Sequence, residues 1–180
     1  MKKFNQARVN GLKGHKDVTK VLLEAGASLS TVDKQDCTPL HMAALGGSKD
    51  VAEVLLEAGA SLFIVDKQGK TPLHQAVWEG HKDVTELLLG AGASLSTVDK
   101  QGQTPLHLAA SKGHRDVTKV LLESGASLST VGKQGETPLH WAADRGHTDV
   151  TEVFLEAGAS LSTVDKQVIN PSVKLRQSNI

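Results

Sequence analysis

Eight histidines, one cysteine and a recurring Gly-Ala-Ser-Leu are the residues whose types could carry chemistry. His74 and His81 lie seven positions apart, and so do His107 and His114. Paired imidazoles hold a divalent metal when cysteine or carboxylate completes the ligand set. Here the same positions recur along the chain and no Cys or carboxylate completes them, so no metal site is expected. In each Thr-Pro-Leu-His, hydroxyl and imidazole are expected to pair at a helix start and to bridge neighbouring units. His15, His81, His114 and His147, with Ser48 filling the slot once, start a following helix and read as local hydrogen bonding. Gly-Ala-Ser-Leu-Ser lacks the second glycine and the following helix of a nucleophile elbow, and it recurs where a catalytic site is singular. Cys37 stands alone in a variable slot. No glycine motif of the phosphate-cradling kind is present. The expectation is a chain with no catalytic residue, no metal and no cofactor.

The composition agrees. The chain has 180 residues, 20 Lys plus Arg and 20 Asp plus Glu. A net charge of zero lacks the electrostatic pull of a nucleic-acid binder or a polybasic membrane binder. One cysteine permits no internal disulfide and suggests a reducing, cytoplasmic setting. No apolar run approaches 18 residues, so no direct membrane insertion is expected. Met1 to Gln6 has charge but no apolar stretch, unlike a secretory signal. Aromatic residues make up 3 %, with no Tyr, so the core must be built from Leu, Val and Ala.

These residues are ordered by a period of 33. Thr-Pro-Leu-His starts at Thr38, Thr71, Thr104 and Thr137, and Gly-Ala-Ser-Leu at Gly26, Gly59, Gly92, Gly125 and Gly158. Asp66–Val98 and Asp99–Val131 share 23 of 33 residues. The period fills the chain as a single domain: a degenerate first repeat at 1–32, repeats at 33–65, 66–98, 99–131 and 132–164, and a partial terminal helix at 165–180. Within Asp99–Val131, Thr104 is an N-cap and Pro105 takes the first helical position, where a missing N–H costs nothing. The helix Pro105–Lys112 presents Leu106, Ala109 and Ala110 on one face. A second helix from about His114 to Glu123 turns Val117, Val120 and Leu121 inward and stops at Gly125. Ser127–Val131 then runs extended to a turn at Lys133-Gln134-Gly135. Neither helix persists alone at this length, so stacking on neighbours must bury the shared face.

This unit, with Asp-Lys-Gln-Gly-Gln-Thr-Pro-Leu-His-Leu-Ala-Ala, Gly-His and Leu-Leu-Glu-Ser-Gly-Ala, resembles an ankyrin repeat over roughly residues 5–167. The resemblance implies an all-α repeat solenoid with hairpin-like fingers and a concave surface that binds proteins. It implies no enzyme. Some family features are missing. Serines such as Ser94, Ser96, Ser127 and Ser129 stand where the family often has Asp and Asn, so asparagine hydroxylation is not available there. Gly132 replaces the finger aspartate seen at Asp33, Asp66, Asp99 and Asp165. Asp36 takes the turn-glycine position, which Asp tolerates better than Val168 does in the last finger. Asn10 and Gly11 stand in the slots of Ala43 and Ala44, which weakens the first helix by about 1–2 kcal/mol relative to two alanines.

Individuality lies in the slots that vary. One finger slot holds Cys37, Lys70, Gln103 and Glu136. Three helix slots hold Met42, Gln75, Leu108 and Trp141; Leu45, Trp78, Ser111 and Asp144; and Gly46, Glu79, Lys112 and Arg145. The first two helix slots are i, i+3 and share a face that points away from the second helix. Phe63 and Ile64 break the Ser-Thr pattern between the repeats of Leu45 and Trp78. These residues are the candidate partner-binding set, centred on Leu45 and Trp78. The competing reading is that Met42, Trp141, Leu45 and Trp78 pack between adjacent helices.

The expected function is a non-enzymatic, monomeric module that binds a protein or peptide through groove and fingers. The alternatives are a targeting fragment of a larger enzyme or membrane-associated protein, and a partnerless spacer or engineered array. If no metal is structural, a chelator should leave the melting temperature unchanged. A drop of many degrees on adding EDTA would contradict that reading.

Overall fold

The computed structural model describes residues 15–163, 165 and 169–172. The degenerate first helix slot, the Val168 turn and most of the terminal segment lie outside the described residues. Nine α-helices are assigned among them: α1 Lys16–Glu24, α2 Pro39–Leu45, α3 Lys49–Glu57, α4 Pro72–Glu79, α5 Lys82–Gly90, α6 Pro105–Lys112, α7 Arg115–Glu123, α8 Pro138–Asp144 and α9 Thr148–Glu156. The chain divides into two compact units, Met1–Ser94 and Leu95–Ile180. In the first, α2 packs on α3 and α4, α4 on α5, and α3 on α1 and α5. In the second, α6 packs on α7 and α8, and α9 on α7 and α8. Short helices pair within a repeat and stack on the next, as an all-α repeat solenoid requires.

Each first helix begins in the same way. Thr38, Thr71, Thr104 and Thr137 are extended N-caps followed by Pro, and each forms a capping box with the histidine three residues on. In the second repeat the Thr38 N–H donates to His41 Nδ1 at 3.1 Å, and the Thr38 hydroxyl lies 2.8 Å from the same nitrogen. Nδ1 is therefore an acceptor, and the proton sits on Nε2. His41 Nε2 donates to the Lys70 carbonyl of the following finger at 3.0 Å. His107 Nε2 donates to the Glu136 carbonyl at 3.0 Å, and His140 Nε2 to the Ile169 carbonyl at 3.2 Å. The expected pairing and bridging by Thr-Pro-Leu-His are both present.

The second histidine set does more than local bonding. His81 Nε2 donates to the Leu45 carbonyl at 3.1 Å, and His147 Nε2 to the Ser111 carbonyl at 3.1 Å. Both targets lie 36 residues upstream, in the first helix of the preceding repeat. The physical reason is that first helices are short and end with unsatisfied carbonyls. An imidazole at the start of the next repeat's second helix reaches them. The ring also explains a glycine. At Gly113, with φ of +74°, a Cβ would sit 2.7 Å from His147 Nδ1. Behind each of these histidines, a buried threonine returns its hydroxyl to the histidine carbonyl, as Thr85 does to His81 and Thr151 to His147.

The core is aliphatic, as the composition requires. Leu40, Ala43 and Ala44 are fully buried, as are Leu106, Ala109 and Ala110 to within 1 %. Alanines at these positions let paired helices approach closely. Asp36 is the one non-glycine residue at positive φ among the described residues, at 63°, as its place in a turn-glycine slot predicts.

Burial holds His41 and His107 below the ordinary histidine pKa of 6.5, against the opposing pull of the carbonyl bond and nearby carboxylates. The unfolded chain therefore binds protons that the folded chain refuses. Stability should fall as pH drops below about 6.5, since protonating Nδ1 also displaces the cap N–H. Thermal melts between pH 7.5 and 5 should show this decline, and His107→Gln should flatten part of it. Gly113→Ala should cost more than about 1 kcal/mol by denaturant titration, from positive φ and the His147 ring together.

Candidate functional site

Each finger is a tight turn, headed by an aspartate at Asp33, Asp66 and Asp99 and by Gly132 in the fifth repeat, and no β-ladder occurs among the described residues. In the third repeat the Asp66 N–H donates to the Lys70 carbonyl at 2.9 Å and the Gly69 N–H to the Asp66 carbonyl at 2.9 Å. Asp66 Oδ1 accepts from the Gln68 and Lys70 N–H groups at 2.8 and 2.9 Å. Asp33 and Asp99 do the same in their own turns. Serving two backbone donors with one carboxylate oxygen fixes the turn and explains why Asp recurs there. Neighbouring fingers touch: the Lys67 N–H donates to the Gln35 carbonyl at 2.9 Å.

The variable helix slots divide by burial. Met42 is 5 % exposed, Leu108 0 % and Ser111 5 %. These three are buried and offer little surface to a partner, unlike the other members of the expected binding stripe. They pack because α2 stacks on α4 and α6 on α8, which covers part of the face opposite the second helix. Gln75, Leu45, Trp78 and Trp141 are half-buried, while Glu79, Lys112, Asp144 and Arg145 are exposed. The finger residues Cys37, Lys70, Gln103 and Glu136 are half-buried. Phe63 is 65 % exposed and Ile64 half-buried. They stand on the loop that follows α3, away in sequence from the helix stripe.

Both tryptophans carry a cation. Lys70 Nζ lies 4.4 Å from the centroid of the Trp78 ring, and the Arg145 guanidinium 5.4 Å from that of Trp141. An ammonium or guanidinium over an indole face contributes roughly 0.5–1 kcal/mol where solvent reaches it. In the first unit this assembles an aromatic surface from Lys70, Trp78 and Glu79. In the second, Trp141 and Glu136 line an open cleft of about 480 Å³ with Gln103, Lys100, Lys133 and Gly132. The described residues contain no group of three or more His, Cys, Asp or Glu arranged to hold a metal. None of their helices is long and apolar enough to cross a membrane.

Some of this surface was missed in the sequence. The position nine residues after the finger aspartate is chemically tied to it: Gln75 Nε2 donates to Asp66 Oδ2 at 2.9 Å. The constant spacing of nine was visible, but the variable residue read as a free surface group. In the next repeats the pairing is broken on one side or the other. Leu108 has no donor for Asp99, whose Oδ2 is buried without a partner, and Trp141 Nε1 is likewise buried without one.

Framework and surface should separate in mutational energies. Leu73→Ala, at a site 1 % exposed, should destabilise by about 2–5 kcal/mol. Lys70→Met, which removes the ammonium over Trp78 and keeps an unbranched apolar stem, should cost about 1 kcal/mol or less in the same urea titration.

Comparison with known proteins supports the same architecture. A family model described as ankyrin repeats in three copies matches residues 7–99 and 91–165. No curated protein matches the chain. The matches cover most of the 180 residues and coincide with the capped first helices, bridging histidines and finger turns described above. The chain belongs to the ankyrin-repeat family.

Proposed function

We propose that this chain is a non-enzymatic binding module that recognises a protein or peptide through its fingers and first helices. Ankyrin repeats are in general protein–protein interaction modules and a non-enzymatic fold. The finer assignment rests on one observation. In a framework repeated almost without change, the residues that vary gather at the finger tips and first helices, and the large ones still reaching solvent are Trp78 and Trp141, each under its own cation.

Tryptophan and arginine are the side chains that dominate protein interfaces, because a rigid aromatic loses little entropy and buries much area. Around Trp78 the partners Leu45, Lys70, Gln75 and Glu79 mix apolar and polar character. A peptide or helix with one apolar anchor and flanking polar groups suits such a surface. The surface has no single sign of charge, which disfavours nucleic acid. The proposed partner is therefore a protein, met without covalent chemistry.

The experiment is selection of displayed peptides on the immobilised chain, followed by affinity measurement with Trp78→Ala and Trp141→Ala. Each alanine should weaken a selected peptide by about 2 kcal/mol, near 30-fold, where it is an anchor. Melting curves should shift only modestly. Loss of several kcal/mol of stability with unchanged peptide affinity would place the indoles in the core and overturn this assignment. Failure to enrich any peptide would favour a spacer.

A further inference from the structure

We propose that the joint between the first and second repeats is a release point built into the array, where α1 opens as one unit while α2 to α5 stay folded. This holds whether or not the chain binds a peptide.

α1 and α7 are nearly the same helix. Lys16–Glu24 and Arg115–Glu123 agree at eight of nine positions. In both, a threonine hydroxyl donates to the histidine carbonyl at the helix start, Thr19 to His15 and Thr118 to His114. Helix propensity therefore does not separate them. Their surroundings do. Val117 and Val120 are 1 % and 7 % exposed, and Val51 and Val54 of α3 are 1 % and 5 % exposed. Val18 and Val21, in the same slots of α1, are 43 % and 62 % exposed. Thr19 is the one buried residue of α1, where α7 buries four. A helix of nine residues is held by the face it buries, and α1 buries little of it.

The joint also lacks the imidazoles that hold the next one. Between the second and third repeats, His41 reaches the Lys70 carbonyl and His81 the Leu45 carbonyl. One period earlier those two slots hold Arg8 and Ser48. Arginine has donors only, so it cannot accept the cap N–H that Nδ1 accepts. The Ser48 side chain makes no cap bond and ends well short of where an imidazole Nε2 would lie. α1 and its following loop meet the second repeat across an apolar gap of about 10 Å³, with Leu22, Leu23 and Leu29 on one side and Pro39 and Leu55 on the other. Atoms that line a gap lose contacts on that side. The Lys16–Glu53 ion pair, at 3.9 Å and part-exposed, adds little. Each unit of a stacked array is held by its neighbours, so the joint with neither imidazole yields first. Opening of α1 uncovers Pro39 and Leu55.

The test is native-state hydrogen exchange of the full chain at neutral pH, with α7 as the sequence-matched control. Amides from Lys20 to Ala25 should exchange about 100-fold faster than those from Lys119 to Ser124, or faster still. This comparison needs no variant. Leu73→Ala should speed exchange in α3 and α5 and leave α1 unchanged, because α1 opens without global unfolding. Arg8→His combined with Ser48→His should slow α1 by about tenfold or more and leave α7 alone. Gly14 stands in the slot of Gly47, whose missing Cβ makes room for the His81 ring, so the new imidazole has a matching glycine. Arg8→Ala combined with Ser48→Ala should not slow α1. Equal protection of α1 and α7 would overturn the release point, and so would α1 rates that rise with Leu73→Ala in step with those of α3. If both pairs of substitutions slow α1 equally, or neither does, the part given to the missing imidazoles is overturned.

Discussion

The imidazole of Thr-Pro-Leu-His is the group on which the rest of the structure depends. Its Nδ1 takes the N–H and hydroxyl of the capping threonine, and its Nε2 gives a proton to a carbonyl of the next finger. One neutral ring thus starts a helix, buries itself and fixes the spacing to the following repeat. The neutral ring carries an acceptor and a donor on opposite edges of one rigid plane. The second histidine works in the reverse direction, closing the end of the preceding first helix. Helices of seven to nine residues are too short to persist alone, so these bonds and the alanine-lined contacts between helices must act together.

That constraint determines where the molecule can differ from repeat to repeat. Positions that cap, bridge or carry the aliphatic core are mostly held, with Ser48 in a bridging slot as an exception, and much of the change falls on finger tips and one helix face. Even there freedom is partial. Met42, Leu108 and Ser111 are closed over by stacking, whereas Trp78 and Trp141 keep part of their rings in solvent. The finger aspartate and the residue nine positions later form a second, weaker linkage. It is complete in Asp66 and Gln75, lacks its donor at Asp99 and Leu108, and lacks its acceptor at Gly132 and Trp141. Departures from a repeated hydrogen bond leave polar atoms whose partners must come from elsewhere, and this is how a uniform scaffold acquires an individual surface.

Much of the fold was legible because local signals agree with the period. Thr104-Pro105 opening a helix, Leu106, Ala109 and Ala110 on one face, and Gly125 closing the next helix are each read from a few neighbouring residues. What was not legible depends on contacts between distant segments. The bond from His81 to Leu45 spans 36 residues, and nothing near His81 distinguishes it from a local cap. The burial of Leu108 and Ser111 was hidden for the same reason, since helical periodicity shows which residues share a face but not what covers it. Trp78 and Trp141 were found as surface candidates from their variability. The cations over their rings required the three-dimensional placement of Lys70 and Arg145.

The most direct test of the histidine account is the tautomer of His41, His107 and His140 in the folded chain, read from long-range ¹H–¹⁵N correlations of the imidazoles. At neutral pH each should be a neutral ring with its proton fixed on Nε2, and that proton should exchange slowly with solvent. A proton on Nδ1, or the averaged signal of a ring that samples both tautomers, would contradict the capping and bridging roles assigned to these residues.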